Sequence, residues 1–309
     1  MIELMTATGK FIPPPDGKIT GKITDMGTIS GLPFNDRSEK SVMFKGRALF
    51  SVAGHVGGTV NMDVYEMDFK TRVAKKSGIT DLASGSSDRI IALSNDGESV
   101  LMFGGYSSGS MSSTRKNLDG TINNSGWTGY NCTNGGYGVL GNSAFIVGDN
   151  NSPYVGFINL PASGNITLGG SSNLIPNYHS SGFVSVQVGA KVYLISRAVA
   201  DFQVFDMSTP TVAAKTLARF GSQCHTYPVW DGADSIYAMI GADVGKISGL
   251  RKYTLSTGVW ETIPLTGDYS LIPTPYPGKR IHMQWFEGAI YFWRCDMDSA
   301  AGKKLWRIT

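Results

Sequence analysis

Residues 230–260 read WDGADSIYAMIGADVGKISGLRKYTLSTGVW, and this stretch contains most of one repeating unit. Asp231-Gly232 predicts a tight hairpin turn, because such turns need positive φ angles that glycine tolerates. The apolar run Ser235–Ile240 follows as a buried strand, and residues 250–255 predict the next strand. Ser256-Thr257-Gly258 predicts a second turn before a short fourth strand. One unit is therefore a set of antiparallel strands joined by tight turns.

The same succession of apolar run, glycine-containing turn and apolar run recurs along the chain. Its turns each contain one glycine, at Gly46, Gly97, Gly141, Gly189, Gly232 and Gly288. One turn therefore occurs about every 40–50 residues, which is the repeat length of a four-stranded propeller blade. We predict an all-β fold, a six-bladed β-propeller of four-stranded blades.

The predicted blades divide a single domain, residues 1–309. Their bounds are 41–79, 88–129, 137–169, 182–218, 226–265 and 281–309. The last unit lacks an outer strand, because it ends after its third strand at 304–308. We predict that the N-terminal segment 9–15 supplies this strand through Phe11-Ile12, since its prolines are tolerated at a sheet edge. This pairing would close the ring and hide two strand edges. The stretch that begins at Lys18 is expected to form a short extra hairpin.

The composition agrees with many short strands joined by turns. Of 309 residues, 41% are hydrophobic, 11% are aromatic and 39 are glycines. The net charge of +3 and the lack of a long basic run give no support to nucleic-acid binding. Since 18 consecutive apolar residues do not occur, we expect no membrane insertion.

The cysteines and the N-terminus bear on the cellular compartment. The three cysteines, Cys132, Cys224 and Cys295, allow at most one internal disulfide, and free thiols in a reducing compartment are the favoured interpretation. Residues 1–10 lack the charged and apolar regions of a signal peptide. We expect the protein to be made in the cytoplasm, with assembly into a virion as an additional hypothesis.

The repeats resemble the kelch family of β-propellers. That family has an apolar strand followed by two glycines, then a tyrosine and a tryptophan. The second unit contains the glycine pair as Phe103-Gly104-Gly105-Tyr106, and the fifth unit contains both Tyr253 and Trp260. The first, third and fifth units have one glycine, whereas Ser196 and Arg294 replace it in the fourth and sixth. The resemblance implies a ring of blades around a central channel.

The blade order places several polar and ionisable residues at one face of the predicted ring. This face carries the loops between blades and the loops that join second and third strands. The candidate binding residues there are Arg37, His55, Arg89, Tyr178, His179, Arg197, Cys224, His225, Arg280 and His282. All four histidines belong to this set. We interpret the set as a polar binding surface at the channel mouth, the alternative being loop caps that bind nothing.

Other sites have less support from the sequence. Cys224, His225 and His282 could hold a metal, but they come from separate blades, whereas zinc ligands usually occur at short spacings. Asp243, Asp296 and Asp298 could bind a cation, although such carboxylates are usually just solvated. Aromatic and asparagine residues around Trp127 could contact a glycan or a protein, and the favoured alternative is a buried outer-strand tryptophan. We predict no cofactor, no metal and no catalytic residue.

The function predicted from these features is binding rather than catalysis. The composition resembles phage tail and virion proteins, in which propellers act as adaptors or receptor binders. We expect protein subunits of a viral particle as partners, with a host-surface glycan as a second possibility. The alternative is a sugar-active enzyme, because six-bladed kelch rings include sialic acid epimerases. In that case Arg89 and Arg280 would bind a carboxylate, and His225 and His282 would transfer protons.

Overall fold

A computed structural model describes most of the chain. The described residues are 18–32, 41–56, 59–81, 87–94, 97, 99–106, 111–117, 122–128, 136–149, 152–159, 161, 167–179, 182–224, 226–241, 247–268, 272, 281–294 and 303–309. Within them, no helix has the length and apolar character that crossing a membrane would require.

The described residues form five four-stranded sheets and one five-stranded sheet, with strand β1 (Lys22–Thr28) preceding the others in the chain. Each four-stranded sheet contains consecutive strands that pair antiparallel in chain order. The first contains β2 (Ser41–Phe44), β3 (Arg47–Val56), β4 (Thr59–Asp68) and β5 (Val73–Asp81). The second contains β6 (Ser87–Leu93), β7 (Ser99–Tyr106), β8 (Met111–Asn117) and β9 (Ile122–Thr128). The third contains β10 (Gly136–Leu140), β11 (Ser143–Asp149), β12 (Ser152–Asn159) and β13 (Thr167–Asn173).

The remaining sheets follow the same order. The fourth contains β14 (Phe183–Val188), β15 (Lys191–Ser196), β16 (Phe202–Asp206) and β17 (Lys215–Thr216). The fifth contains β18 (Val229–Trp230), β19 (Ser235–Ile240), β20 (Gly249–Thr254) and β21 (Val259–Ile263). The last sheet is composite and joins β1 to β22 (Thr266–Gly267), β23 (His282–Phe286), β24 (Ala289–Trp293) and β25 (Lys304–Ile308).

The hairpin turns lie where the sequence predicts them. Every glycine named for these turns has a positive φ, between 59° and 82°. Gly46, for example, lies between β2 and β3, and Gly232 lies between β18 and β19. A side chain would be strained in this backbone conformation, and this is why glycine marks the turns.

The first strands of the sheets surround a central channel. Each of β2, β6, β10, β14 and β18 contacts the next of these strands, and β23 contacts both β18 and β2. The contacts therefore run around a closed circle with no open edge between sheets. This arrangement of radial sheets is a β-propeller, as the repeat pattern predicts.

The outer strand of the composite sheet differs from the strand that the sequence predicts. β25 pairs antiparallel with β1, with Ile23 opposite Ile308 and Thr28 opposite Lys304. Its other neighbour is β24, so neither edge remains for Phe11-Ile12. The N-terminal part of the chain does supply the outer strand, but through residues 22–28. The segment 9–15 lies outside the described residues.

The burial pattern explains why residues 22–28 take this position. Ile19 and Ile23 are 3% and 1% exposed and pack in the core between the fifth and the composite sheets. The stretch that begins at Lys18 therefore leads into β1, a strand of the ring, and does not form a separate hairpin. Its first two isoleucines alternate with the exposed Thr20 and Lys22, as a strand with one buried face requires.

Candidate functional site

The first strand of each sheet lines the channel, and we call these strands the inner strands. The loops that precede them lie beside the loops that join second and third strands, as the prediction of one common face requires. We call this end of the ring the loop face. In the fourth blade, the Arg197 amide donates to the Gly182 carbonyl at 3.1 Å. In the fifth, the Gly241 amide donates to the Gln223 carbonyl at 3.5 Å. The described loop-face segments are thus tied to each other in the fourth and fifth blades.

Five of the ten candidate binding residues have no described side chain. Arg37, His225 and Arg280 lie outside the described residues. His55 is in β3, opposite Val60 of β4, and Arg89 is in β6, opposite Gly104 of β7. Only the backbone positions of His55 and Arg89 are therefore known. The part of all five residues in a binding surface stays a prediction.

Tyr178 and His179 lie on the loop face, in the segment that leads to β14. Both side chains are half-buried. The Tyr178 ring lies 6.2 Å from the Phe183 ring, measured between centroids. The His179 carbonyl accepts a hydrogen bond from the Gly182 amide at 2.9 Å, which closes the turn into β14. This segment is anchored and still partly open to solvent.

Arg197 and Cys224 come together at the junction of the fourth and fifth blades, but in its interior. Arg197 is 5% exposed and Cys224 is fully buried. The Arg197 Nε donates to the Phe183 carbonyl at 3.3 Å, and its guanidinium lies 6.0 Å from the centre of the Tyr227 ring. These contacts correct the expectation that both side chains are presented at the surface.

Burial also controls the chemistry of Cys224. Loss of hydration raises the pKa of its thiol from 9.0 to about 12. The Sγ donates to the Thr226 carbonyl at 3.3 Å. A thiol that keeps its proton is a poor nucleophile and a poor metal ligand, because both roles need the thiolate. Cys224 is therefore a core residue of the blade junction.

His282 lies at a different junction, between the composite sheet and the first blade. It is 3% exposed. Its ring stacks on Trp293, with centroids 5.0 Å apart and planes at 12°, and it lies 5.7 Å from the Phe50 ring. The structure therefore does not bring His282 and Cys224 into one site, because each packs in its own inter-blade core. Over the part of the chain that the structure describes, no group of three metal-binding side chains is present.

A cavity that reaches the opposite end of the channel is a feature that the sequence reasoning missed. Its volume is about 400 Å³, and β2, β6, β10, β14, β18 and β23 all contribute to its wall. The wall includes residues next to the hairpin turns of the inner strands, among them Met43, Leu93, Trp230 and Trp285. We call this end of the ring the turn face. The cavity reaches the turn face at Trp230, Gly232 and Trp285, and it extends along the channel to Tyr137 and Tyr227.

Two glutamine side chains bridge neighbouring inner strands beside this cavity. The Gln187 Nε2 donates to the Val139 carbonyl at 2.7 Å and to the Gly189 carbonyl at 2.9 Å, while its Oε1 accepts from the Val139 amide at 2.8 Å. The Gln284 Nε2 donates to the carbonyl and the Oγ of Ser41, at 2.6 and 2.9 Å. These bonds tie β14 to β10 and β23 to β2.

Aromatic side chains complete the wall. The Tyr137 hydroxyl donates to the Ile91 carbonyl at 3.2 Å, and the Tyr137 amide donates to the Ser185 Oγ at 3.1 Å. Trp285 stacks on Tyr237, with centroids 5.7 Å apart and planes at 9°. The sequence does contain a signal for this site, because a tryptophan comes shortly before the turn glycine in both the fifth and the last unit.

No protein-family model and no curated protein matches the sequence. Solved structures match it at low identity. The WD40 domain of coronin from Toxoplasma gondii gives a TM-score of 0.52 at 10% identity, over 96% of this chain and 87% of that chain. A chain in a crystal structure of a mitotic checkpoint complex gives 0.52 at 11% identity, over 97% of this chain and 95% of that chain.

TolB from Acinetobacter baumannii is a third similar structure. Its TM-score is 0.50 at 12% identity, and the match covers 75% of this chain. The match spans 55% of the TolB chain, so only part of TolB has a counterpart here. At such identities the likeness concerns the fold alone. The chain is a β-propeller.

Proposed function

We propose that this chain is a non-catalytic, protein-binding β-propeller with six blades, the composite sheet being the sixth. The position of β23 between β18 and β2 supports this number, because it occupies the place of an inner strand in the closed circle. A kelch-type blade is supported in the fifth unit, where the Tyr253 and Trp260 rings pack with centroids 5.1 Å apart.

The observation that favours binding over catalysis is the burial of the reactive loop-face side chains. Arg197, Cys224 and His282 each pack inside a blade junction. A proton-transfer residue must come within hydrogen-bond reach of a substrate, and a 3% exposed imidazole between two aromatic rings is poorly placed for that. The sialic acid epimerase alternative therefore gains no support from His282.

The binding surface that we propose is the solvent-open part of the loop face. Tyr178 and His179 belong to its described part, and the predicted contributions of Arg37, His55, Arg89, His225 and Arg280 extend it. The buried side chains hold these loops in place. The likeness to a chain crystallised within a mitotic checkpoint complex supports protein binding as a role for such a ring.

The partner that we propose is another protein subunit of a viral particle, reached after synthesis in the cytoplasm. Mass spectrometry of purified particles from the source, combined with chemical cross-linking, tests this. We expect the chain in intact particles, cross-linked to a second subunit through loop-face residues. Recovery only as a free monomer would contradict the proposal.

Variants at the two ends of the ring identify the binding face. His179→Ala alters the loop face, and Asn142→Ala alters an exposed residue of the hairpin turn between β10 and β11. We expect the first variant to reduce incorporation into particles and the second to leave it unchanged. The reverse order would assign the partner to the turn face. Binding of glycans on an array, with no protein cross-link, would favour the host-glycan alternative.

A further inference from the structure

We infer that the turn-face end of the channel is a binding site for a neutral, mainly apolar ring compound. The cavity volume of about 400 Å³ falls within the range of roughly 300–1,000 Å³ that is usual for small-molecule sites. Aromatic side chains from two blades and the composite sheet line it: Tyr137 from the third blade, Tyr227 and Trp230 from the fifth, and Trp285 from the composite sheet. This site is distinct from the loop face and does not depend on the proposed partner.

The uncharged side chains of the described wall disfavour ionic ligands. None of the described residues that line the cavity is an acid, a lysine, an arginine or a histidine. Transfer of an ionised group from water into such a wall is unfavourable unless a counter-charge meets it. A neutral ligand avoids this cost.

The hydrogen-bonding groups of the wall select against a polyhydroxylated ligand. The Gln187 amide is already engaged with Val139 and Gly189, and the Gln284 Nε2 is engaged with Ser41. A sugar would leave several hydroxyls without partners, and each such loss is unfavourable. Within the described part of the chain, no donor contacts the Gln284 Oε1, so this oxygen can accept one hydrogen bond from a ligand. The wall therefore offers few hydrogen-bonding groups to a ligand and fits a ring compound with few polar groups.

The wall is also held in place before a ligand arrives. The glutamine bridges join strands of neighbouring blades, and Tyr237 supports one face of Trp285. A site that is already ordered loses little conformational entropy on binding. Binding therefore needs no rearrangement of the ring.

Two dyes that differ by one sulfonate test the inference on the unaltered protein. N-phenylnaphthylamine is neutral, and anilinonaphthalene sulfonate carries the same rings with a negative charge. In fluorescence titrations we expect the neutral dye to bind with one-to-one stoichiometry and the sulfonate to bind at least about tenfold more weakly, because its charge would be buried without a partner. Equal affinities, or several equivalent sites for the neutral dye, would overturn the inference.

A cavity-filling variant locates the dye. Met43→Trp places a larger side chain in the wall, whereas Val259→Glu removes an apolar group that is 57% exposed on the outer strand β21. We expect the first variant to lose dye binding and the second to retain it. Retention in Met43→Trp with loss in Val259→Glu would place the dye on the outer surface and refute the channel site. Near-ultraviolet circular dichroism verifies that Met43→Trp is folded, and the two-dye comparison decides the question if it is not.

Discussion

At the scale of single residues, burial at blade junctions changes what a side chain can do. Cys224 belongs to a residue type with reactive chemistry, yet it packs in a core with Tyr227 and Phe220. The pKa of its thiol rises because the thiolate would lose its hydration there. From its position in the sequence, Cys224 is predicted to lie on a binding surface. In the structure, side chains of two neighbouring blades bury it in their common core.

This burial predicts a loss of stability in alkaline solution. Above pH 9.0 the unfolded chain ionises Cys224, whereas the folded chain keeps the proton until its raised pKa of about 12. The unfolded state then binds fewer protons, so the free energy of unfolding falls as pH rises, by up to about 1.4 kcal/mol per pH unit from this group. Cys224→Ala removes this contribution to the pH dependence of the free energy of unfolding.

Urea denaturation of both proteins at about pH 8 and about pH 10 measures the effect. We expect the wild-type protein to lose more stability over this interval than the variant does. Parallel losses would show that Cys224 ionises equally in both states. Labelling with iodoacetamide and peptide mapping provides a second readout, in which Cys224 should react only after unfolding.

Gly138 is a second residue whose role depends on the neighbouring blade. A Cβ at this position of β10 would lie 2.5 Å from the Val192 Cγ2 and 2.7 Å from the Met207 Sδ, both in the fourth blade. The glycine thus permits close approach of the third and fourth blades. Overpacking such a contact forces its neighbours to move.

Gly138→Ala is therefore expected to destabilise the ring by about 1–3 kcal/mol. Gly249→Ala is the matched control, because its Cβ would lie 3.2 Å from its nearest neighbour, the Ile240 Cδ1 of the same blade. The midpoints of chemical denaturation compare the two variants. A smaller effect at Gly138 than at Gly249 would contradict a tight blade contact.

At the scale of elements, the segment 18–32 joins three parts of the ring. β1 pairs with β25 on one side and with β22 on the other, where it runs parallel and places Lys22 opposite Thr266. Further along, the Ser30 amide donates to the Arg72 carbonyl at 3.0 Å, at the edge of the first blade. These bonds connect the composite sheet to the first blade, and Ile23 also packs in the core shared with the fifth blade, so one short segment joins all three.

Ile23 anchors β1 by packing in the apolar core of the ring. Ile23→Ala removes a side chain that is 1% exposed, so we expect a loss of about 2–5 kcal/mol. Lys22→Ala, one position earlier and exposed, should change stability by less than about 0.5 kcal/mol. Thermal or urea denaturation of the two variants tests this. Equal effects would mean that β1 does not carry the apolar contact.

At the scale of the whole molecule, closure makes the blades interdependent. Because β23 contacts both β18 and β2, no blade junction can open without straining the others. Gln284→Ala removes the donor to Ser41 at the junction of the composite sheet and the first blade, which should cost about 1–3 kcal/mol. The effect should spread around the ring.

Native-state hydrogen exchange measures this spread. We expect the slowest amides of β14 and β15, on the far side, to exchange faster by the same factor as those of β23, since global unfolding limits all of them. Gln223→Ala, an exposed loop-face residue, is the control and should leave the rates unchanged. Acceleration confined to the composite sheet and first blade would indicate independent local opening.

The repeat pattern was sufficient to predict the sheets, because its signals are local. A glycine such as Gly232 needs only its own backbone geometry to mark a turn. The apolar run that follows needs only its composition to mark a buried strand. These signals placed the hairpins and the order of the strands before any long-range contact was known.

By itself, the sequence determined that the chain is a ring of β-sheets with turns at given glycines and an N-terminal strand in the last sheet. Only the tertiary structure decided that residues 22–28 are that strand, that Cys224 and His282 are buried at separate junctions, and that a neutral cavity lies at the turn face. The physical reason is the separation along the chain of the residues that determine each feature. Turns and strands depend on neighbours in the chain, whereas pairing partners, burial and cavities depend on residues that only the closed ring brings together.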